Sequence, residues 1–405
     1  MRILLAPIGT EGDVRPFATL ATALERAGHE ASLLVAPDFV DLCRNLGAHP
    51  TALGDAFRPK MDELARSANG RPWTAWKALL RGLREGVCDQ FRLLAPHVQG
   101  VDLFVGTALQ FSIHSFADKL EVPSCQVGHV PMLFQSRFHA PPNLPRSLGV
   151  FNPMAWRLVF RSLEWTLRKT MDRERILMGL GPLEGPFKSH FERPFLLAMD
   201  PELASLPPDV PARVAQCGYL RDVDTSELPH EIESFLRAGA PPVYIGFGSM
   251  VESEVAALGR IVGEAVHKAG VRAIVARGWT HLEARGEQIL SVGHVPHLKL
   301  FPRCAAVVHH GGAGTSWAAS RSGVPQVIVP HLMDQPWWSR RLAQLAVAAD
   351  VVPHAKLGAD RLALAISRAL AMDPTPCRNL ARPLCSRNGP QQAADLIASW
   401  AGRRS

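Results

Sequence analysis

The sequence predicts an α/β protein made of two doubly wound, Rossmann-like domains that face each other across a cleft. Three observations carry this expectation. The chain has 405 residues, too many for one ordinary core and suited to two. Strand-like apolar runs alternate with helical patterns, and βαβ alternation implies parallel sheets covered by helices. The alternation lapses mid-chain and restarts near residue 241. Paired domains of this kind place a ligand at the carboxyl ends of their strands.

The elements follow in order. RILLAPI reads as a first strand. RPFATLATALERAGH reads as a helix, with Pro16 near its first turn and Gly28 as its stop. EASLLVAP is a strand, and DFVDLCRNLG a helix closed by Gly47. DLFVG and VPSCQVG are further strands. Residues 137–195 break the pattern; rich in Pro, Arg and Trp, they read as helical insertions. Pro and Asp cluster over 200–240, which suggests a linker. PVYIGFGS is then a strand entering a glycine turn, VAALGRIVGEAVHKAG a helix, and VRAIVARG and AAVVHH strands. GTSWAASRSG is a helix stopped by Gly323, and PQVIVP a strand.

Composition narrows the class. Hydrophobic residues make up 47% and charged residues 20%, as in a soluble globular protein. No apolar run approaches the ~20 residues that span a bilayer. MRILLAPIGT lacks a small-residue cleavage pattern, so the expectation is a cytoplasmic chain without a signal peptide. The 7 cysteines are scattered, with no C-x-x-C, which favours reduced thiols over a disulfide frame or a zinc site. A net charge of +7 suits an anionic ligand or a membrane surface. No nucleic-acid recognition motif accompanies it.

The chemistry concentrates in turns at strand ends. In VVHHGGAGTS (307–316), glycines join a strand to a helix. Glycine admits positive φ and close approach of a ligand, and the helix start offers free N–H groups and a positive dipole end. Together these form a phosphate site without a metal. Adjacent strand residues point to opposite faces, so only one of His309 and His310 can face the ligand, and a metal pair is disfavoured. His310 sits where strand meets turn. The plain alternative is a tight βα turn with a structural histidine. GFGSM (246–250) is a second glycine turn, with Ser249 as a candidate phosphate donor. PHLMDQPWW (330–338) sets Asp334 and Gln335 at a strand end, where such groups suit sugar hydroxyls; Asp334 could equally be a helix N-cap.

These residues together resemble glycosyltransferase family 1 with the GT-B fold. The likeness is strongest to the branch holding sterol glucosyltransferases and the bacterial antibiotic and rhamnolipid glycosyltransferases. It is carried by GTEGDVRP at 9–16, GFGS at 246–249, VPHLKLFPRCAAVVHHGGAGT at 295–315 and GVPQVIVPHLMDQPWW at 323–338. The resemblance implies an acceptor-binding domain over 1–217, a linker at 218–240 and a nucleotide-sugar-binding domain over 241–385. The tail, 386–405, would be a helix packing back on the first domain. His310, Gly312, Gly314 and Thr315 would hold the diphosphate, with Ser249 opposite, and Asp334 and Gln335 the sugar hydroxyls. Val295 would meet the base near Trp279 and His297. Plant relatives stack a tryptophan on uracil at the start of this signature, where VPH stands here.

Transfer to an alcohol requires removal of the acceptor proton. One base and no protein nucleophile would give direct displacement with inversion, as in the family. Asp13, in the first βα turn, matches the aspartate of the antibiotic and sterol branch, where plant relatives carry histidine. The alternative is that Asp13 caps the helix beginning near Pro16. Plant relatives also carry a supporting aspartate after a later strand; here DLFVG ends in Gly106 and Thr107. His114, His129 and His139 are backup bases, or else structural or acceptor-lining groups.

No cofactor or metal is expected. The one Asp-x-Asp triplet, Asp222-Val-Asp224, lies in the polar linker and reads as solvated. Phe57, Trp73, Trp76, His114 and His129 are the candidate acceptor contacts, though the aromatics could be core. They favour an apolar aglycone: a polyketide or antibiotic, a sterol or a lipid. WRLVFRSLEWTLRK would put Trp156, Val159, Leu163 and Leu167 on one helical side with basic groups around it. That side could face the core, admit a lipophilic acceptor, or give a peripheral membrane contact through 137–195. Two competing functions share these features: a nucleotide-sugar epimerase of the same fold, and a non-catalytic nucleotide-sugar-binding partner of a transferase.

Overall fold

The computed structural model describes residues 1–401 apart from 58, 60–71, 134, 142–143, 145–146, 186, 188–191, 212, 222–226, 249–254, 279–281 and 332–333, and only the backbone of 72–80 and 132. The chain divides into two compact units. The first comprises Met1–Pro201, Ser205–Asp222 and Asn388–Ser405; the second comprises Glu202–Ala204 and Val223–Arg387.

The first unit is built on a seven-stranded sheet ordered β3-β2-β1-β4-β5-β6-β7. Its strands are β1 (Arg2–Ala6), β2 (Glu30–Val35), β3 (Pro50–Ala52), β4 (Leu103–Thr107), β5 (Ser124–Gly128), β6 (Phe195–Ala198) and β7 (Val214–Cys217). Every adjacent pair is parallel, with β1 set between β2 and β4 in the register Ile3↔Ala31 and Ile3↔Leu103. Ile3, Leu4 and Leu5 are all buried, so β1 is apolar on both faces, as a strand covered by helices on each side requires.

The helices here are α1 (Glu11–Arg26), α2 (Val40–Asn45), α3 (Pro72–Leu94), α4 (Ile113–Leu120) and α5 (Asn152–Leu177). Helix α1 begins earlier than the sequence pattern implied. Thr10, not Asp13, is its N-cap, and Pro16 stands inside the helix, just past its first turn. The capping box closed by Thr10 fixes the start, and Pro16 costs the helix only the one bond its missing N–H would have made to Gly12. Leu4, Phe91, Phe104, Phe116, Leu167 and Met171 form the core between sheet and helices, and α5 packs along α3.

The second unit carries a six-stranded sheet ordered β10-β9-β8-β11-β12-β13, again all parallel. Its strands are β8 (Val243–Gly246), β9 (Ala273–Ala276), β10 (Ile289–Val292), β11 (Ala306–His309), β12 (Gln326–Ile328) and β13 (Ala348–Val351). The helices are α6 (His230–Arg237), α7 (Val255–Ala269), α8 (His297–Leu300), α9 (Ala313–Ser322), α10 (Gln335–Gln344), α11 (Ala359–Ala371) and α12 (Thr375–Ser386). Helices α7 and α11 pack together over a core of Val262, Val275, Val308, Val327 and Ile366. Helix α6 lies within the stretch read as a linker and is anchored by buried Ile232.

A last helix, α13 (Gly389–Ala401), belongs to the first unit and packs on α1 and β7. Gln392 there accepts the Gly218 N–H at 3.1 Å, and a β-carbon on Gly389 would sit 2.4 Å from the Tyr219 carbonyl oxygen. Both sheets reverse their winding once, between β1 and β4 and between β8 and β11. Connections leave opposite faces at such a point, opening a crevice at the carboxyl ends of the strands.

Candidate active site

In the second unit the reversal is flanked by the turns after β8 and β11. His309 ends β11, fully buried. Its Nδ1 accepts the Gly311 N–H at 3.1 Å, so its Nε2 must carry the proton donated to Gln326 Oε1 at 3.0 Å. Gln326 in turn donates to Ser320 Oγ at 3.1 Å. Burial lowers the His309 pKa to about 4, and the neutral ring pins the turn. His309 is therefore a structural member of the pair.

His310 faces the other way, against both glycine turns. A β-carbon on Gly248 would lie 2.7 Å from its Cε1, and one on Gly312 2.5 Å from its Nε2. A third turn joins them, since a β-carbon on Gly278 would meet the Gly248 carbonyl oxygen at 2.5 Å. Gly248, Gly278 and Gly311 all have positive φ (64, 58 and 90°), which other residues adopt only with strain. Burial, reinforced by His309 and His331, holds His310 neutral with a pKa of about 3. Its Nδ1 is buried without a hydrogen-bond partner among the described residues, as is Ser316 Oγ.

Helix α9 starts at this turn. Gly312 is its N-cap and supplies no side-chain bond, and its first turn holds no acidic residue. The first N–H with an acceptor inside the helix is that of Ser316, bonded to the Gly312 carbonyl at 2.9 Å. The N–H groups of Ala313, Gly314 and Thr315 have no intrahelical acceptor, an arrangement suited to an anion. Gly314 thus lies in the helix's first turn, within the segment GTSWAASRSG read as helical.

Helix α10 opens beside the same turn: a β-carbon on Gly311 would sit 3.4 Å from the Gln335 carbonyl oxygen. Asp334 holds the N-cap position, but its Oδ2 accepts the Trp338 indole N–H at 3.1 Å instead of capping. Gln335 Oε1 accepts the His331 N–H at 2.8 Å, which orients its amide. Val295 is buried in the connection after β10. His297 stacks on Phe301 with ring centroids 4.4 Å apart and bonds Tyr244 Oη at 3.2 Å. Ser249, Trp279, Asp222 and Asp224 lie outside the described residues.

In the first unit, Asp13 stands beside the β1/β4 reversal. It is residue N3 of α1, and its Oδ2 accepts the Thr10 N–H at 2.9 Å and the Thr10 hydroxyl at 3.3 Å. Burial outweighs these bonds and raises its pKa to about 6. The turn ahead of it is clasped by Thr107, at the end of β4. Thr107 Oγ1 accepts the Ile8 N–H and donates to the Ile8 carbonyl, both at 3.0 Å.

The other first-unit candidates separate. His129 follows β5 at the carboxyl edge. Its Nδ1 donates to the Ala198 carbonyl at 3.2 Å, leaving a bare, buried Nε2. Burial lowers its pKa to about 4, and its ring meets Tyr219 edge-on at 5.5 Å. Phe57 packs against Phe39 at 6.0 Å, and its N–H reaches Asp38 at 2.9 Å. His114, on α4, is fully buried, with its Nδ1 2.8 Å from Oγ of Ser124, the first residue of β5. His139 packs edge-on against Trp156 at 6.0 Å. The side chains of Trp73 and Trp76 lie outside the described residues. Among the described residues, no cluster of His, Cys, Asp or Glu could hold a metal ion, and no helix is long and apolar enough to cross a membrane.

Comparison with known proteins bears on this geometry. Residues 256–395 match the family model described as erythromycin biosynthesis protein CIII-like, C-terminal domain. The chain is 33% identical over 413 residues to glycosyltransferase GtfE of Amycolatopsis orientalis, covering 99% of this chain and 98% of that protein. It is 32% identical to the vancomycin aglycone glucosyltransferase of the same organism, covering 86% and 85%. The chain belongs to the family 1 glycosyltransferases. Its fold is GT-B: the crystal structure of glycosyltransferase VinC in complex with dTDP superposes with a TM-score of 0.67 at 20% identity, covering 100% of both chains.

In this glycosyltransferase, sequence reasoning missed the parts that act through the backbone. Thr107 stands where the resemblance marks only an absent aspartate, and its role as a clasp has no local signature, because its partner is ninety-nine positions away. Gly278 sits in the strand-to-turn run VRAIVARG, but only the fold brings it to Gly248. Thr10 was legible, since T-x-x-D before an apolar run is a capping-box pattern.

Proposed function

We propose that this glycosyltransferase moves a sugar from a dTDP- or UDP-linked donor, with inversion, to a hydroxyl of a hydrophobic natural-product acceptor. The observation that carries the reading is the turn Gly311–Thr315. It joins open N–H donors, a helix dipole and the His310 ring at the reversal of the second sheet. The names of the relatives support the substrate classes: one acts on the vancomycin aglycone and one is crystallised with dTDP.

Asp13 takes the acceptor's proton as the acceptor oxygen bonds the anomeric carbon. The bond from that carbon to the diphosphate oxygen breaks, and its electron pair leaves with the nucleotide. Both Thr10 bonds fall on Oδ2, so Oδ1 is the oxygen available for the proton. A pKa of about 6 brings its basicity near the working pH. The charge growing on the diphosphate meets the N–H groups of residues 313–315, with His310, Gly312 and Ser249 around it. Asp334 and Gln335 face the sugar hydroxyls, and Val295, His297 and Trp279 the base. Phe57, Trp73, Trp76 and His129 contact the acceptor. Because the helix start carries the anion, no metal is required, and turnover persists in EDTA.

The test is a matrix of UDP- and dTDP-sugars against glycopeptide, polyketide and sterol aglycones, read by mass spectrometry. The expected product is one acceptor carrying one added sugar, whose anomeric configuration by NMR is opposite to that of the donor. Conversion of the donor to an epimer without transfer would overturn the reading.

A further inference from the structure

Helix α5 carries two apolar faces. The one legible in the sequence turns inward: Trp156 and Leu167 are buried, and Leu163 packs against the core. The other is exposed. It runs from Phe151, just before the helix, through Met154, Leu158, Trp165 and Ile176, with Leu158 61% and Trp165 73% exposed. At about 3.6 residues per turn these side chains fall in one narrow arc along the helix.

Cations border this arc. Exposed Arg157 and Arg161 lie on one flank and exposed Arg173 on the other, with Lys169 between. The acids of α5 do not join them. Glu164 and Asp172 are tied to Arg168 at 3.2 and 3.1 Å, and Glu174 is half-buried. From α3, Arg84 lies 5.7 Å over the Trp165 ring and adds a further positive charge.

We propose that this ridge docks the protein on an anionic lipid bilayer, with α5 lying in the plane of the interface. The shape excludes a small-molecule pocket: a row of side chains on the outer face of one helix is convex, whereas ligand sites are concave. The charge argues against a second copy of this chain, because two-fold pairing would bring a cation-flanked ridge against itself. Anionic headgroups complement both flanks, while Met154, Leu158 and Trp165 enter the headgroup–acyl boundary and the arginine stems reach outward. The docking is independent of the transfer reaction.

Co-sedimentation of the full chain with vesicles tests this, using phosphatidylcholine alone and phosphatidylcholine mixed with phosphatidylglycerol. Binding is expected only to the anionic vesicles, and weaker in high salt. Arg157→Gln and Arg161→Gln should each lower it roughly fivefold, and Leu158→Asp should reduce it further. Circular dichroism and melting of each variant separate lost docking from lost fold; if Leu158→Asp unfolds, the arginine pair carries the test. Equal binding to neutral and anionic vesicles, or none to either, overturns the proposal. So does a concentration-dependent dimer that Leu158→Asp abolishes, which would give the ridge to a second copy.

Discussion

A β-carbon on Gly9 would sit 2.1 Å from Oδ2 of Asp13. The bare backbone at Gly9, with φ of 142°, is what lets the carboxylate lie over the turn that precedes it. The candidate base is thus held by the loop that leads into its own helix, with the next residue, Thr10, bonding it through its N–H and hydroxyl.

Asp13→Asn keeps an oxygen for Thr10 and removes the base. We expect kcat to fall by about 10²–10⁴-fold with donor affinity unchanged by calorimetry. The wild-type rate should drop below about pH 6, where the carboxylate binds its proton. Stability should move the opposite way. A folded-state pKa raised from 3.8 to about 6 means stability is lost as pH rises through that interval, by about 3 kcal/mol at most. Asp13→Asn should therefore melt at a higher temperature than wild type at pH 7.5. Retained activity would remove Asp13 as the base, and a variant no more stable than wild type at pH 7.5 would contradict the cost of burying its charge.

Thr107→Val deletes the clasp on Ile8 without changing size. The β1–α1 turn then loses two bonds, and the Ile8 N–H and carbonyl lose a buried partner. The expected signature is a fall in kcat of about tenfold, the KM for donor unchanged, and the acidic limb of the pH profile displaced. Thr107→Ser, which keeps the hydroxyl, should restore all three. An unaltered pH profile would leave Thr107 with a purely structural role.

Gly312→Ala places a methyl 2.5 Å from the His310 ring and must push it aside. Donor affinity should weaken about tenfold or more. His310→Ala removes a candidate phosphate contact and should weaken it too. In the His310→Ala background, Gly312→Ala should cost much less, because the space is then free. Additive losses in the double mutant would show that the two residues act separately.

His309→Leu fills the same strand end but leaves the Gly311 N–H and the Gln326 oxygen without their partner. Each buried group left unsatisfied costs about 1–3 kcal/mol, so denaturant unfolding should show a clear loss of stability. Gln326→Leu made with it should recover part of that loss, since both partners are then apolar.

The strands, their parallel pairing and the glycine turns at their ends were legible because they are written in local runs: apolar stretches for buried strands, glycine where φ turns positive. Helix starts were legible only in part. The apolar period of α1 begins at Pro16, whereas its cap is a polar loop residue, Thr10, so the pattern alone placed the start too late. The histidines divide for the same reason. Nothing local distinguishes His114, on helix α4 and bonded to Ser124, from His129, which follows the carboxyl end of β5 and bonds the Ala198 carbonyl.

By itself the sequence determined the parallel α/β architecture, the turn rich in glycine at 311–314, and the kinship that these motifs signal. Tertiary structure alone decided which groups meet. It brought Thr107 to Ile8, Gly278 to Gly248, and His310 between two glycine turns, and it turned one face of α5 inward and left the other in solvent. The physical reason is that periodicity and φ preference act within a few residues. Close approach, burial and the pKa values they set depend instead on strand order, which places distant residues side by side.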